Sequence, residues 1–210
     1  EAIIYVHPRG RQHIIDPSKL VEASRNLLGK EVVNGYGEIH RIKSDKVRES
    51  ADLESLDLGD FSIRVIWTPG HANHHQVFFI PEFKILMLGD AGGLYDHKTG
   101  KIFPTTPPPF NPPKAIESLD KLISLNPEVV CYSHSGFTRE GEKKLLMYKE
   151  QIELWNAITE NGLKENLSPE KIFSRIKEMD PMLDGCKQGF STHFTSLNGF
   201  IRYHHCMRNK

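Results

Sequence analysis

The segment Trp67-Thr68-Pro69-Gly70-His71-Ala72-Asn73-His74-His75 carries the pattern that decides how this 210-residue chain is read. The run Phe61 to Trp67 leads into it and reads as a strand, Pro69-Gly70 stops that strand, and a histidine follows the turn. The arrangement recurs twice. Leu86-Met87-Leu88-Gly89 runs into Asp90, and Cys131-Tyr132-Ser133 runs into His134, with Ser135-Gly136 behind it. Each segment sets an ionisable side chain just past a strand, where ligand sites collect in α/β sheets. Each also has a nearby glycine, which lets the backbone turn sharply toward a shared centre.

Two imidazoles and a carboxylate suit a borderline cation such as zinc, manganese or iron. A carboxylate has two oxygens and can bridge two ions. A neutral imidazole offers one nitrogen and holds its other N–H on an outer acceptor. The trio His71, Asp90 and His134 therefore reads as part of a two-metal site, with Asp90 in the middle. The ordinary alternatives are a solvated turn histidine and an Asp that caps a helix.

The three motifs together, in this order and in these strand contexts, resemble the metallo-β-lactamase superfamily. The stretch from Glu1 to about Gly136 is similar to its hydrolase-like branch, which includes glyoxalase II-type thioesterases and lactonases. The resemblance implies an αββα sandwich of two sheets with helices outside. It implies that His71 binds a first metal, His134 a second, and Asp90 both, positioning them rather than acting as a free base. It also implies two zinc ions, with iron or manganese as substitutes, and a bridging hydroxide that attacks an ester, thioester, lactone or phosphoester.

One part of the family pattern is absent. The signature His-x-His-x-Asp-His does not occur in these 210 residues, and His7-Pro8-Arg9 and Gln12-His13 do not match it. The chain begins at Glu1 and runs straight into Ala2-Ile3-Ile4-Tyr5-Val6, read as a buried strand. In the family the signature lies upstream of such a strand. The expectation is that this is the C-terminal two-thirds of the domain. A missing N-terminal segment or another chain would then complete the fold by covering an apolar sheet face, and a homo-oligomer is one way to do so.

Working outward, Asp16-Pro17 opens a helix with Leu20, Ala23, Leu27 and Leu28 on one face, and Gly29 ends it. Residues 30–60 are polar with weak strand signals. Gln76–Ile80 and Lys84–Leu88 read as strands joined by Pro81-Glu82-Phe83. Residues 104–113 hold six of the 13 prolines, a stiff extended connection that could also form a substrate-facing wall. A helix is expected over 114–125 and a buried strand over Val129–Tyr132. From about 139 to 210 the chain reads as helical, with Leu145, Tyr148, Ile152 and Trp155 on one core stripe and Ser168-Pro169 opening a second helix. Strands and helices mix throughout, so the class is α/β or α+β, with no internal repeat and no obvious domain boundary.

Composition excludes several functions. Lys plus Arg is 27 and Asp plus Glu is 27, so the chain lacks the basic excess of a nucleic-acid binder and a superfamily nuclease is disfavoured. No apolar run is long enough to span a membrane. Three cysteines, Cys131, Cys186 and Cys206, cannot form a closed disulfide set and suggest a reducing, cytoplasmic setting. The remaining histidines read more plainly. His74 and His75 suit the following strand or a supporting role at the pocket. His97 reads as solvated, and His193, near Phe190 and Phe194, as a C-terminal helix residue that could reach the pocket. His204 and His205, beside Cys206, read as a frayed helix end or a small metal cluster. Cys131 reads as a buried inert thiol, and Lys143 and Lys144 as a solvated helix face. The expected function is a metal-dependent hydrolase acting on a small molecule, the alternative a non-catalytic binding or scaffold module with an incomplete metal site.

Overall fold

The computed structural model describes residues 2–134, 136–184 and 190–208. Ser135 and Cys186 fall outside these, as do the side chains of Leu27, Leu28, Phe190, Ser191 and Thr192. The chain forms two compact units, Glu1–Glu54 and Ser55–Lys210.

In the first unit, β1 (Ile4–Val6) pairs in parallel with β2 (Val47–Glu49). Between them lie α1 (Arg11–Ile15), α2 (Ser18–Leu28) and α3 (Lys30–Gly35). The strand expected to be buried is only half-buried, and Ile3 before it is exposed. The helix after Asp16 forms, and Asp16 accepts the Ser18 backbone N–H at 3.2 Å. Gly29 ends it with φ 91°, a left-handed backbone that glycine adopts without strain. The polar stretch read as weakly extended begins instead with α3, and its strand content is short.

The second unit is built on a six-stranded sheet, ordered β10 (Gly136–Thr138), β9 (Val129–Tyr132), β6 (Ile85–Met87), β5 (Gln76–Ile80), β4 (Ser62–Trp67) and β3 (Ser55–Asp57). β6 and β9 are parallel and every other pair is antiparallel. The parallel step needs a crossover, supplied by α4 (Pro112–Ile123). A separate two-stranded ribbon, β7 (Leu94–Asp96) with β8 (Lys101–Phe103), precedes it. Three more helices follow: α5 (Gly141–Lys164), α6 (Pro169–Met179) and α7 (Phe190–Arg208). The chain thus has the mixed α/β fold expected from its pattern.

The core follows from period-two burial on the strands. Ile66, Val77, Phe79, Leu86 and Val130 share one apolar cluster with Leu119 and Leu122 of α4 and with Leu145, Tyr148, Ile152 and Trp155 of α5. Trp155 is fully buried, as its place on the helical stripe predicts, and its Nε1–H donates to Asp180 Oδ2 at 2.7 Å. Two readings need correction. Helix α4 starts at Pro112, not residue 114, because Asn111 caps it by accepting the Lys114 N–H, and both prolines sit where a helix N–H has no partner anyway. Lys144 is buried rather than solvated: its Nζ donates to the Gly100 carbonyl at 2.6 Å and lies 5.7 Å from the Tyr95 ring centroid.

Candidate metal centre

Strand direction brings the three motifs together. Because β4 and β5 are antiparallel, and β5 and β6 antiparallel, β4 and β6 run the same way, and β9 runs parallel to β6. The C-terminal ends of β4, β6 and β9 therefore lie on one edge of the sheet. His71 follows β4, Asp90 follows β6 and His134 follows β9.

At that edge His71 Nε2 lies 3.5 Å from Asp90 Oδ2, and His134 Nε2 lies 3.2 Å from Asp90 Oδ1. The carboxylate sits between the two imidazoles, each facing a different oxygen. Asp90 Oδ1 is nonetheless buried without a hydrogen bond, since the nearby imidazole is not aligned to donate one. His71 Nδ1 is 2.7 Å from the Thr105 carbonyl oxygen. A carbonyl only accepts, so Nδ1 carries the proton, and in the neutral ring Nε2 turns a lone pair toward Asp90. A lone pair facing a carboxylate oxygen is unfavourable unless a positive charge lies near both. The His71 side chain is 19% exposed and that of His134 62%, so the site is closed on one flank and open on the other.

His75 supports the arrangement from behind. The Asp90 backbone N–H donates to its Nε2 at 3.1 Å, which leaves the proton on Nδ1, 2.7 Å from Thr68 Oγ1. Burial, with the neighbouring His71, pushes the His75 pKa down to about 4, so the ring stays a neutral acceptor. Two glycines are required nearby. A Cβ on Gly89, where φ is +55°, would stand 2.7 Å from His75 Nε2, and one on Gly70 would stand 2.5 Å from the Ala115 Cα. Ser118 Oγ donates to the Pro69 carbonyl at 2.8 Å, fixing the turn before His71. A small pocket beside His71 and Asp90 is walled by Pro69, Ala91, Phe110, Ala115 and Tyr148. Phe110 brings the proline-rich connection to this wall.

The other candidates separate cleanly. His74 and His97 are exposed. His193 is buried between the rings of Phe103 and Phe173 and does not line the pocket. His204 Nε2 bonds Asn156 Oδ1 at 3.0 Å within a helix that continues to Arg208, so that stretch is not a frayed end. Cys131 and Cys206 are free; Cys131 is half-buried, with its thiol pushed up by burial, and Cys206 is exposed. Among the described residues, no three His, Cys, Asp or Glu side chains surround one point as a complete cation cage. Thr105 carries no site signal in the sequence, because its role depends on a contact with His71 made 34 residues away along the chain.

Against this geometry, the metallo-beta-lactamase superfamily profile matches residues 2–134, and the chain belongs to that superfamily. A metallo-beta-lactamase fold-containing protein, ST1585 of Sulfurisphaera tokodaii, is 36% identical over 141 residues, covering 65% of this chain and 52% of the relative. The crystal structure of the archaeal superfamily protein ST1585 superposes with TM-score 0.64 at 32% identity, covering 71% of this chain and 57% of that one. A hydroxyacylglutathione hydrolase of Maricaulis maris is 29% identical over 126 residues, 60% of this chain and 46% of that enzyme. The fold is also that of TTHA1429 from Thermus thermophilus, with TM-score 0.62 at 20% identity over 99% of this chain and 67% of that one. The chain spans about half the length of the curated relatives it matches.

Proposed function

We propose that this chain carries part of the active centre of a metal-dependent hydrolase, with His71, Asp90 and His134 as cation ligands and a small-molecule ester, thioester, lactone or phosphoester as substrate. The observation that carries the reading is the Asp90 carboxylate between two imidazole nitrogens, with a buried oxygen that accepts no hydrogen bond. That donor set fits a divalent cation: two neutral nitrogens and two carboxylate oxygens suit zinc first, and iron or manganese as well. Superfamily membership supports the hydrolytic class, and the likeness to hydroxyacylglutathione hydrolases favours a thioester within it.

A divalent cation bound there would supply Lewis acidity, polarising a substrate oxygen and making a bound water acidic enough to attack at neutral pH. The chain's own residues do the rest. Asp90 offers one oxygen to each side, so it can hold two cations at a fixed spacing. It is engaged on both sides and is not a free base. His71, tied through Nδ1 to Thr105, presents Nε2 in one orientation. His75 stays neutral and holds the Asp90 backbone still. The apolar walls at Pro69, Ala91 and Phe110 keep bulk water from the closed flank. The open flank at His134 leaves room for substrate.

A second reading, a binding or scaffold module with an incomplete site, draws on the absence of a three-donor cage among the described residues. One experiment separates the two. Purified protein is loaded with zinc, its metal content is measured, and it is assayed on a thioester, an aryl ester, a lactone and a phosphodiester. Metal binding with hydrolysis that falls in Asp90→Ala supports the enzyme. Hydrolysis of none of the four supports the scaffold, and a chain that also binds no metal overturns the enzyme reading.

A further inference from the structure

We infer that helices α5 and α7, which lie beyond the matched residues 2–134, set the orientation and tautomer of His71 through a strap at residues 102–106, with Ser196 as its key positioning residue. The inference rests on the reading of His71 as a ligand. The strap's polar groups are fastened by the two helices. Gln151 of α5 donates to the Ile102 carbonyl at 3.2 Å, and Ser196 of α7 donates to the Pro104 carbonyl at 2.7 Å. Thr106 Oγ1 donates back to the Ser196 carbonyl at 3.0 Å. Between these anchors, the Thr105 carbonyl accepts from His71 Nδ1 at 2.7 Å.

The residues on both sides of Thr105 are thus held by Ser196 of α7, and the Thr105 carbonyl between them is aimed at the imidazole. The Tyr148 ring also packs against the loop that carries Asp90: a Cβ on Gly93 would stand 2.6 Å from its Cε2. Tyr148 of α5 therefore touches the turn that follows Asp90, and it lines the same pocket as His71 and Asp90. An outer acceptor on the second imidazole nitrogen typically changes metal affinity by about 10–100-fold. The helical C-terminal part is, on this account, part of the site's frame.

The test is nuclear magnetic resonance of the metal-free chain at pH 9, reading the His71 ring nitrogens, with zinc affinity measured by calorimetry alongside. Wild type should show a single Nδ1-protonated form. Ser196→Ala, which removes the hydroxyl that holds the Pro104 carbonyl, should show averaged tautomers and about 10-fold weaker zinc binding. Thr106→Val removes the strap's own hydroxyl donor to α7 and should shift His71 in the same direction by less; it decides the matter if Ser196→Ala does not fold. A wild-type His71 without one dominant Nδ1–H form, or folded variants with His71 unchanged, overturns the inference. The ring-nitrogen measurement needs neither metal nor activity, so a chain that binds no zinc contradicts the proposed function without touching this result.

Discussion

The Asp90 backbone N–H donates to Nε2 of His75 at 3.1 Å, while the Asp90 side chain faces His71 and His134. The two ends of one residue thus meet different groups: the backbone that carries the carboxylate is anchored to His75, and the carboxylate itself faces the other two imidazoles. Replacing His75 with Ala leaves the Asp90 N–H without its acceptor, a loss of about 1–3 kcal/mol. Urea unfolding should report that loss, and zinc content should fall with it. A variant of wild-type stability and zinc content would show that His75 merely fills the strand.

Gly89 is the residue that lets His75 come so close. Ala at 89 meets two obstacles, the +55° φ and the 2.7 Å approach to Nε2. Gly89→Ala should therefore lower the thermal midpoint and zinc affinity together, while Gly136→Ala, whose Cβ meets nothing within 4 Å, should leave zinc affinity closer to wild type. Calorimetric titration of both variants checks this.

Two histidines are held neutral by burial. The His75 pKa is pushed down to about 4, and that of His193 is also lowered by burial, against the pull of Asp180. In the unfolded chain both titrate near 6.5, so between that pH and their folded values the unfolded state binds more protons, and stability rises with pH. The His75 contribution is complete above about pH 6.5 and is lost as pH falls toward 4, by about 3 kcal/mol, and that of His193 is likewise lost below the same upper bound. Denaturant midpoints from about pH 7.5 to about pH 4 should decline over this window, and less steeply in His75→Gln.

His193 belongs to the core and not to the site. It is buried between Phe103 and Phe173, and its removal opens a cavity. His193→Ala should destabilise the chain by about 2–4 kcal/mol with zinc content unchanged. A parallel loss of zinc in folded protein would bring the C-terminal helix into the metal site itself.

The sequence is most informative where structure is local. β5 and β9 are readable from their apolar runs to the residue, and β4 and β6 to within a residue at each end. Turn chemistry marks His71, Asp90 and His134, and strand direction then brings them to one edge. The β7–β8 ribbon has strands of three residues, too short for a period to register; its turn is set by Asp96, which accepts from the Lys98 N–H at 2.9 Å. Lys144 looks solvated because Glu140 and Glu142 flank it in sequence, but its amine is drawn to a loop carbonyl 44 residues away. Tyr148 reads correctly as core, yet it also lines the pocket beside His71 and Asp90. A periodic pattern shows which face of a helix is buried, not what a polar atom on that face will meet.

The central claim is that Asp90 joins His71 and His134 in holding metal. The direct measurement is zinc per chain, by elemental analysis after loading and gel filtration, for wild type and a folded Asp90→Ala variant. The account predicts that Asp90→Ala loses most of the zinc bound by wild type and loses hydrolysis with it. Zinc content unchanged by the substitution would contradict it.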